Sequence, residues 1–186
     1  MKNPPAAVLL STAVAITIAV STIRTTRAVT RLRETFNTMH SANWDEDVIK
    51  ARILYAQTRG MLGNEKHMIA DYMHGSKSWD KFSETEKKKK EEIATALMAI
   101  MNEYDLLALG IRLDTIDEVF LFKAFRGSVI RDWDTLAPLV DNYRKTYDNE
   151  KLCIEFQGLA DSWKKEISYK SGKKLNTTRI LQYFAR

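Results

Sequence analysis

The longest helical pattern in the chain is SETEKKKKEEIATALMAIMNEYDLLAL, residues 83–109. Ser83 and Glu86 have the spacing of a capping box, in which each side chain accepts a hydrogen bond from the other residue's backbone N–H. The lysines that follow lie four residues from glutamates, which is typical of a solvated helix face. From Ile93 onward, apolar residues recur with helical spacing. The sequence therefore predicts a core helix over this stretch, ended by Gly110.

Helical periodicity continues on both sides of this helix, and no convincing strand pattern interrupts it. Seven glycines and three prolines leave little material for hairpin turns. Capping-box spacing predicts two more helix starts, at Asn43 and Thr115, and Pro138 suits the first turn of a helix or a kink. We therefore expect an all-α bundle. Its other predicted helices cover about 43–59, 64–74, 115–130, 138–147 and 149–167.

Residues 101–144 read MNEYDLLALGIRLDTIDEVFLFKAFRGSVIRDWDTLAPLVDNYR. Their distinctive features are Glu103, Leu-Gly-Ile at 109–111, Asp117, the aromatic run at 120–125, Trp133, Pro138 and Arg144. This segment resembles the core of an uncharacterised family of small bacterial and phage helical proteins, a domain of unknown function often preceded by one transmembrane helix. The resemblance covers roughly residues 30–160 and implies a helical fold with a membrane tether. It implies no activity.

An uncharged apolar stretch, AAVLLSTAVAITIAVSTI, occupies residues 6–23. As a helix it is about 27 Å long, close to the roughly 30 Å hydrocarbon core of a bilayer. Four arginines follow it closely, and an excess of basic residues marks the cytoplasmic side. We therefore predict a single-pass protein of the inner (cytoplasmic) membrane, with residues 1–5 outside and the C-terminal domain in the cytoplasm. A cleaved signal peptide is the alternative.

Three further regions complete the predicted domain organisation. They are a basic juxtamembrane helix over 24–42, a helical bundle over 43–167 and a basic tail over 168–186. Lys2 and the four arginines before Glu34 account for the net charge of +5, so the rest of the chain is balanced. Without a broad basic face, a nucleic-acid partner is not expected. The expected partner is the lipid bilayer, contacted by Arg24, Arg27, Arg31, Arg33, Lys173 and Lys174.

Charged residues are mixed with bulky apolar residues in the predicted bundle helices. Charges embedded in an apolar helix are costly unless they are paired. One interpretation is therefore a mixed-charge cleft that binds a small anion. The candidate ligand-binding residues are Arg52, Glu103, Arg126 and Arg144. The alternative, which we favour, is a set of structural salt bridges that fix the register of the helices.

The sequence carries no convincing signature of a metal, cofactor or catalytic site. His67, Asp71 and His74 share one helix face, but a zinc site needs further ligands and supporting hydrogen bonds. The single cysteine, Cys153, lies among apolar residues without a neighbouring histidine, so we predict a core position rather than a nucleophile. Gly-rich phosphate loops and Ser/His/Asp groupings are also lacking. We therefore expect no metal and no cofactor.

Three functions are compatible with these features. The first, which we favour because no reaction machinery is visible, is a membrane-tethered helical module that binds an unknown protein partner. In this hypothesis the protein is an accessory or regulatory protein of a prophage or a phage-defence system. The second is a small-ligand sensor, or an enzyme, that uses the mixed-charge cleft. The third is a structural homo-oligomer assembled through the membrane span and the long helix.

Overall fold

Five α-helices make up most of the part of the chain that the structure describes. The computed structural model describes residues 4–63, 69–70 and 79–175. Within these ranges no β-strand occurs, which confirms the all-α prediction. The predicted helix over 64–74 lies almost entirely outside the described residues. The helices are α1 (Pro4–Trp44), α2 (Glu46–Leu62), α3 (Glu84–Arg112), α4 (Glu118–Tyr147) and α5 (Ile154–Lys164).

The predicted capping box at the start of α3 is confirmed. The Ser83 backbone N–H donates to the Glu86 carboxylate at 2.8 Å, and the Glu86 N–H donates to the Ser83 hydroxyl. The boxes predicted at Asn43 and Thr115 are wrong. A carboxylate directly before each helix takes the capping role instead, because it can accept from N–H groups of the first turn. These caps are Asp45, which accepts from two N–H groups, and Asp117, which accepts from the Phe120 N–H at 2.8 Å.

Gly110 does not end α3 as predicted, since the helix continues to Arg112. Its carbonyl accepts from the N–H groups of both Thr115 and Ile116 in the following turn. A Cβ atom at this position would lie 2.6 Å from the Ile116 side chain. Because glycine has no side chain, the α3–α4 turn can pack closely against α3 at this position. The glycine does not end the helix.

Pro138 does not start a new helix, because α4 runs through it from Glu118 to Tyr147. Residues on both sides of the proline, Leu136 and Leu139, are fully buried on the inward face. Burial of this face against the bundle keeps the two halves of α4 in one helix, although the proline removes one backbone donor.

Helix α3 lies at the centre of the bundle and contacts α2, α4 and α5. The core includes Leu97, Phe156 and Trp163, all fully buried. Trp163 meets the Phe122 ring edge-to-face, with 5.5 Å between ring centroids. Cys153 is 3% exposed, which confirms its predicted core position, and burial raises the pKa of its thiol to about 11.

The two halves of α1 have different surroundings. The C-terminal half docks on the α3–α4 turn: Thr35 is buried, and its hydroxyl accepts from the Asp117 N–H at 2.8 Å. In the same region Arg31 pairs with Asp114. The bundle's contacts thus begin within the predicted juxtamembrane helix, upstream of residue 43. The N-terminal half exposes its apolar side chains, namely Leu10, Val14, Ile16, Ile18, Val20 and Ile23.

Among the residues that the structure describes, α3 is the one helix long and apolar enough to cross a bilayer by length and composition. Most of the apolar residues that give α3 this character belong to the core or pack against it, whereas Leu106 is exposed. The span predicted over 6–23 stays a prediction.

The chain folds back on itself after α5. The Ser168 hydroxyl and the Tyr169 N–H both donate to the Glu118 carboxylate, at 2.5 Å each. Lys170 pairs with Asp114 at 2.6 Å. The first part of the predicted basic tail, up to residue 175, is therefore packed on the bundle, and residues 176–186 lie outside the described ranges.

Leu97→Ala tests the central position of α3. Leu97 is fully buried, so the truncation is expected to lower the free energy of unfolding by about 2–5 kcal/mol. The matched control on the same helix, Leu106→Ala, removes a side chain that is 68% exposed and should change it by about 0.5 kcal/mol or less. Urea unfolding of the full chain in one detergent, followed by circular dichroism, measures both. Equal losses of unfolding free energy in the two variants would contradict the central position of α3.

Candidate functional site

A cavity of about 770 Å³ lies between α1, α2, α3 and α4. One part of its wall is polar and the other is apolar. The polar residues include Arg52, Tyr55, Arg59, Glu103, Tyr104, Ser128, Arg131 and Asp132. The apolar residues include Met39, Ile100, Leu106, Leu107, Ile116, Leu121 and Phe125. Its size is in the range of small-molecule sites, and such sites combine apolar walls with a few placed polar groups.

The carboxylate of Asp132 is the centre of the polar wall. Asp132 lies in the middle of α4 and is 4% exposed. The Tyr55 hydroxyl on α2 donates to one carboxylate oxygen at 3.0 Å, and the Tyr104 hydroxyl on α3 donates to the other at 2.8 Å. A buried charge is tolerated only when paired and hydrogen-bonded, so these hydroxyls offset part of its desolvation cost.

Two guanidinium groups complete the shell of Asp132. Arg59 donates to the carboxylate from α2, and Arg131 donates from the neighbouring position on α4, both at 3.0 Å. The Arg59 guanidinium also lies 5.4 Å from the centre of the Tyr55 ring, within cation–π range. One negative charge is thus shared by two positive ones, so this part of the wall carries an excess positive charge.

The two tyrosines remain protonated donors over a wide pH range. Burial raises the pKa of Tyr55 and Tyr104, and the negative charge of Asp132 raises the pKa of both further. The hydrogen bond to Asp132 also raises the pKa of Arg131. At neutral pH both phenols are therefore neutral hydrogen-bond donors, and Arg131 carries its positive charge.

The four predicted ligand-binding residues do not form one cluster. Arg52 and Glu103 form an ion pair in the wall of the cavity. Arg126 instead donates to the Trp163 carbonyl and to Glu166.

Arg144 is also held outside the cavity wall. Its guanidinium donates to the Leu152 carbonyl at 2.7 Å and to the Gln157 side chain at 2.9 Å. Both Arg126 and Arg144 therefore connect α4 to the segments around α5, as structural pairs do.

Sequence reasoning missed the Asp132 cluster. Asp132 reads in the sequence as a cap before a core tryptophan, and Tyr104 as a core residue. The core positions of Trp133 and Tyr104 are confirmed, since Tyr104 packs against the core and stacks on the Phe156 ring, whereas Asp132 lies inside α4 and caps no helix. One sequence feature could have pointed to the cluster: Tyr55 and Arg59 lie four residues apart on α2 and so share one helix face.

The predicted membrane-surface residues are also separated by the fold. Arg24, Arg27 and Arg33 are exposed on α1, whereas Arg31 pairs with Asp114 of the bundle. Lys173 and Lys174 are exposed in the folded-back segment. Groups of three or more potential metal ligands are lacking among the described residues; His67, Asp71 and His74 lie outside them.

One family model matches residues 9–163, most of the chain. The chain belongs to the DUF4760 family. This family is described as a domain of unknown function, and the match confirms the resemblance carried by residues 101–144. The DUF4760 match also extends into the apolar half of α1. No curated protein and no solved structure matches the chain.

Asp132→Asn tests the central role of the buried carboxylate. The substitution removes the counter-charge of two partly exposed guanidinium groups and weakens the hydrogen bonds from both tyrosines, so the free energy of unfolding should fall by about 1–3 kcal/mol. The control is Asp134→Asn, on the same helix as Asp132. It breaks a half-exposed ion pair with Lys164 of α5 and should lower the free energy of unfolding by less than about 1 kcal/mol. Urea unfolding of the full chain compares them. A loss at Asp132 no larger than at Asp134 would refute the role.

Alkaline pH provides an independent test of the two tyrosines. Because their folded-state pKa values are raised, the unfolded state ionises first, from about pH 10. Stability from these groups is fully present below that pH and is lost as the pH rises above it. Unfolding free energies measured from pH 8 to pH 12 should therefore fall less steeply in Tyr55→Phe/Tyr104→Phe. An equally steep fall in the original protein and in the double variant would contradict the prediction.

Proposed function

We propose that this protein is a membrane-tethered sensor of a small amphipathic ligand, which binds in the cavity between α1, α2, α3 and α4. The observation that carries the proposal is the cavity itself, because one part of its wall is apolar and the other carries the Asp132 cluster. Cavities of this kind are the default ligand sites of folded domains. This proposal favours the second of the three sequence-based functions.

The proposed tether is the N-terminal half of α1, inserted in the inner membrane with the bundle in the cytoplasm. Support comes from its exposed apolar side chains: Leu10, Ile16 and Ile18 are 70%, 58% and 61% exposed. Contiguous apolar surface of this kind marks an interaction with a membrane or another apolar partner. The exposed Arg24 and Arg27 then follow the apolar segment, in agreement with the positive-inside rule.

A sensor also needs a route from the ligand to its output. Helix α1 contributes Thr38 and Met39 to the cavity wall, and Thr35 fastens the same part of α1 to the start of α4. A ligand that contacts this wall therefore contacts the helix that we propose enters the membrane. Differential contacts of this kind are what a ligand needs in order to shift a conformational equilibrium.

The proposed output is binding of a protein partner, the function first favoured from the sequence. One observation supports it: Ile49 and Ile53 stand one turn apart on α2, and they are 38% and 53% exposed. Apolar pairs at this spacing suit a helix that packs against a partner. A role in a prophage or phage-defence system and assembly as a homo-oligomer remain hypotheses. Recovery of a stoichiometric partner with a tagged full chain in mild detergent would support the interaction, and recovery of the homo-oligomer alone would argue against it.

Blocking the cavity tests the sensor proposal. Ala56 is exposed on α2 at the cavity wall, so Ala56→Trp should obstruct the cavity without disturbing the core. Gln57→Trp, at the next exposed position on the same helix, is the matched control. We expect the full chain in zwitterionic nanodiscs to bind at least one of octanoate, 1-octanol and octylammonium in equilibrium dialysis. Ala56→Trp should lose this binding and Gln57→Trp should keep it. Absence of binding, or equal binding by both variants, would overturn the proposal.

A further inference from the structure

The charge of the ligand can be inferred from the hydrogen bonds of Asp132, and this inference rests on the proposed function. One carboxylate oxygen accepts from Tyr55, Arg59 and Arg131, and the other accepts from Tyr104. A carboxylate offers about four acceptor sites in all. With about two sites on each oxygen, the first oxygen is saturated and the second keeps one acceptor site, but the guanidinium charges of Arg59 and Arg131 beside it disfavour a cationic head there.

The two arginines have donors to spare. Each guanidinium carries five N–H groups in a planar fork, and the bond to Asp132 uses one nitrogen of each. Both side chains line the cavity, and they are 30% and 50% exposed. Together they carry two positive charges against the one charge of Asp132. The fork geometry of guanidinium matches a carboxylate or phosphate group.

The remaining charges of the wall do not reverse this balance. Glu103 is paired with Arg52, so this pair adds no net charge. Glu34, the third acidic residue of the wall, lies on α1 and forms no ion pair with Arg59 or Arg131 among the described residues. The inner polar wall therefore favours an anion, whereas the apolar wall favours a hydrocarbon chain.

We propose that the ligand is a single-chain carboxylate amphiphile, such as a fatty acid anion, whose head binds Arg59 and Arg131 and whose chain lies along the apolar wall. The chain contacts would include Ile100, Leu107 and Phe125. A carboxylate is favoured over a bulkier phosphate headgroup because the head must share the two guanidinium groups with Asp132, which is already bound to both. Such a molecule reaches the cavity either from water or from the adjacent bilayer.

Equilibrium dialysis of the full chain in zwitterionic nanodiscs, with protein-free nanodiscs subtracted, compares three octyl probes that differ in head charge. Octanoate should bind at least about tenfold more tightly than 1-octanol or octylammonium, since charge-assisted hydrogen bonds contribute a factor of this size. Arg131→Gln should abolish the preference. The control Arg126→Gln, on the same helix but paired with Glu166, should retain it.

Two results would overturn the proposal while leaving the proposed function intact. These are cavity-dependent binding in which 1-octanol or octylammonium equals octanoate, and an unchanged preference for octanoate in Arg131→Gln. If that variant fails to fold, Arg131→Lys serves instead, because one ammonium replaces the planar fork; the preference should fall, and an unchanged preference contradicts the proposal. If all three probes fail to bind, the sensor function itself fails.

A competition experiment in the same nanodiscs identifies the source of the ligand. Hexadecanoate mixed into the nanodisc bilayer should displace octanoate if the site takes long chains from the membrane. Octanoate binding that persists beside hexadecanoate supports the same ligand class, supplied from water as a shorter acid.

Discussion

Three helices of the bundle share one buried carboxylate. Asp132 on α4 accepts hydrogen bonds from Tyr55 and Arg59 on α2 and from Tyr104 on α3, in addition to its neighbour Arg131. Removing any one donor leaves a buried charge with less compensation, and this is expensive in a region of low dielectric constant. The relative register of α2, α3 and α4 is therefore constrained by a polar contact in addition to apolar packing.

The same contact accounts for the cavity. Hydrogen bonds hold Tyr55 and Tyr104 against α4, so their rings form part of the wall. Helix α1 closes the other side, fastened by the Thr35 hydroxyl and by the Arg31–Asp114 pair. Since Asp114 also binds Lys170, the folded-back segment after α5 is tied to the same turn. A shift of α1 would thus change the cavity wall and the contacts of this segment together.

Local sequence signals were sufficient for the all-α class, for the start of α3 and for several core positions. The capping box at Ser83, the burial of Cys153 and the core position of Trp133 each follow from residues within a few positions of one another. The Asp132 cluster could not be predicted in this way, because Tyr55 and Arg59 lie 77 and 73 residues before it. Nothing in the spacing of arginines distinguishes Arg52, which reaches Glu103, from the arginines that bind backbone carbonyls.

The most direct measurement of the central claim is a double-mutant cycle between Arg59→Gln and Tyr104→Phe. These residues lie on different helices and bind different oxygens of Asp132, so they interact chiefly through that carboxylate. If one shared charge holds the helices together, the unfolding free energies should be non-additive, with a coupling of about 0.5–3 kcal/mol. Additivity to within about 0.3–0.5 kcal/mol, the behaviour of independent sites, would contradict the account.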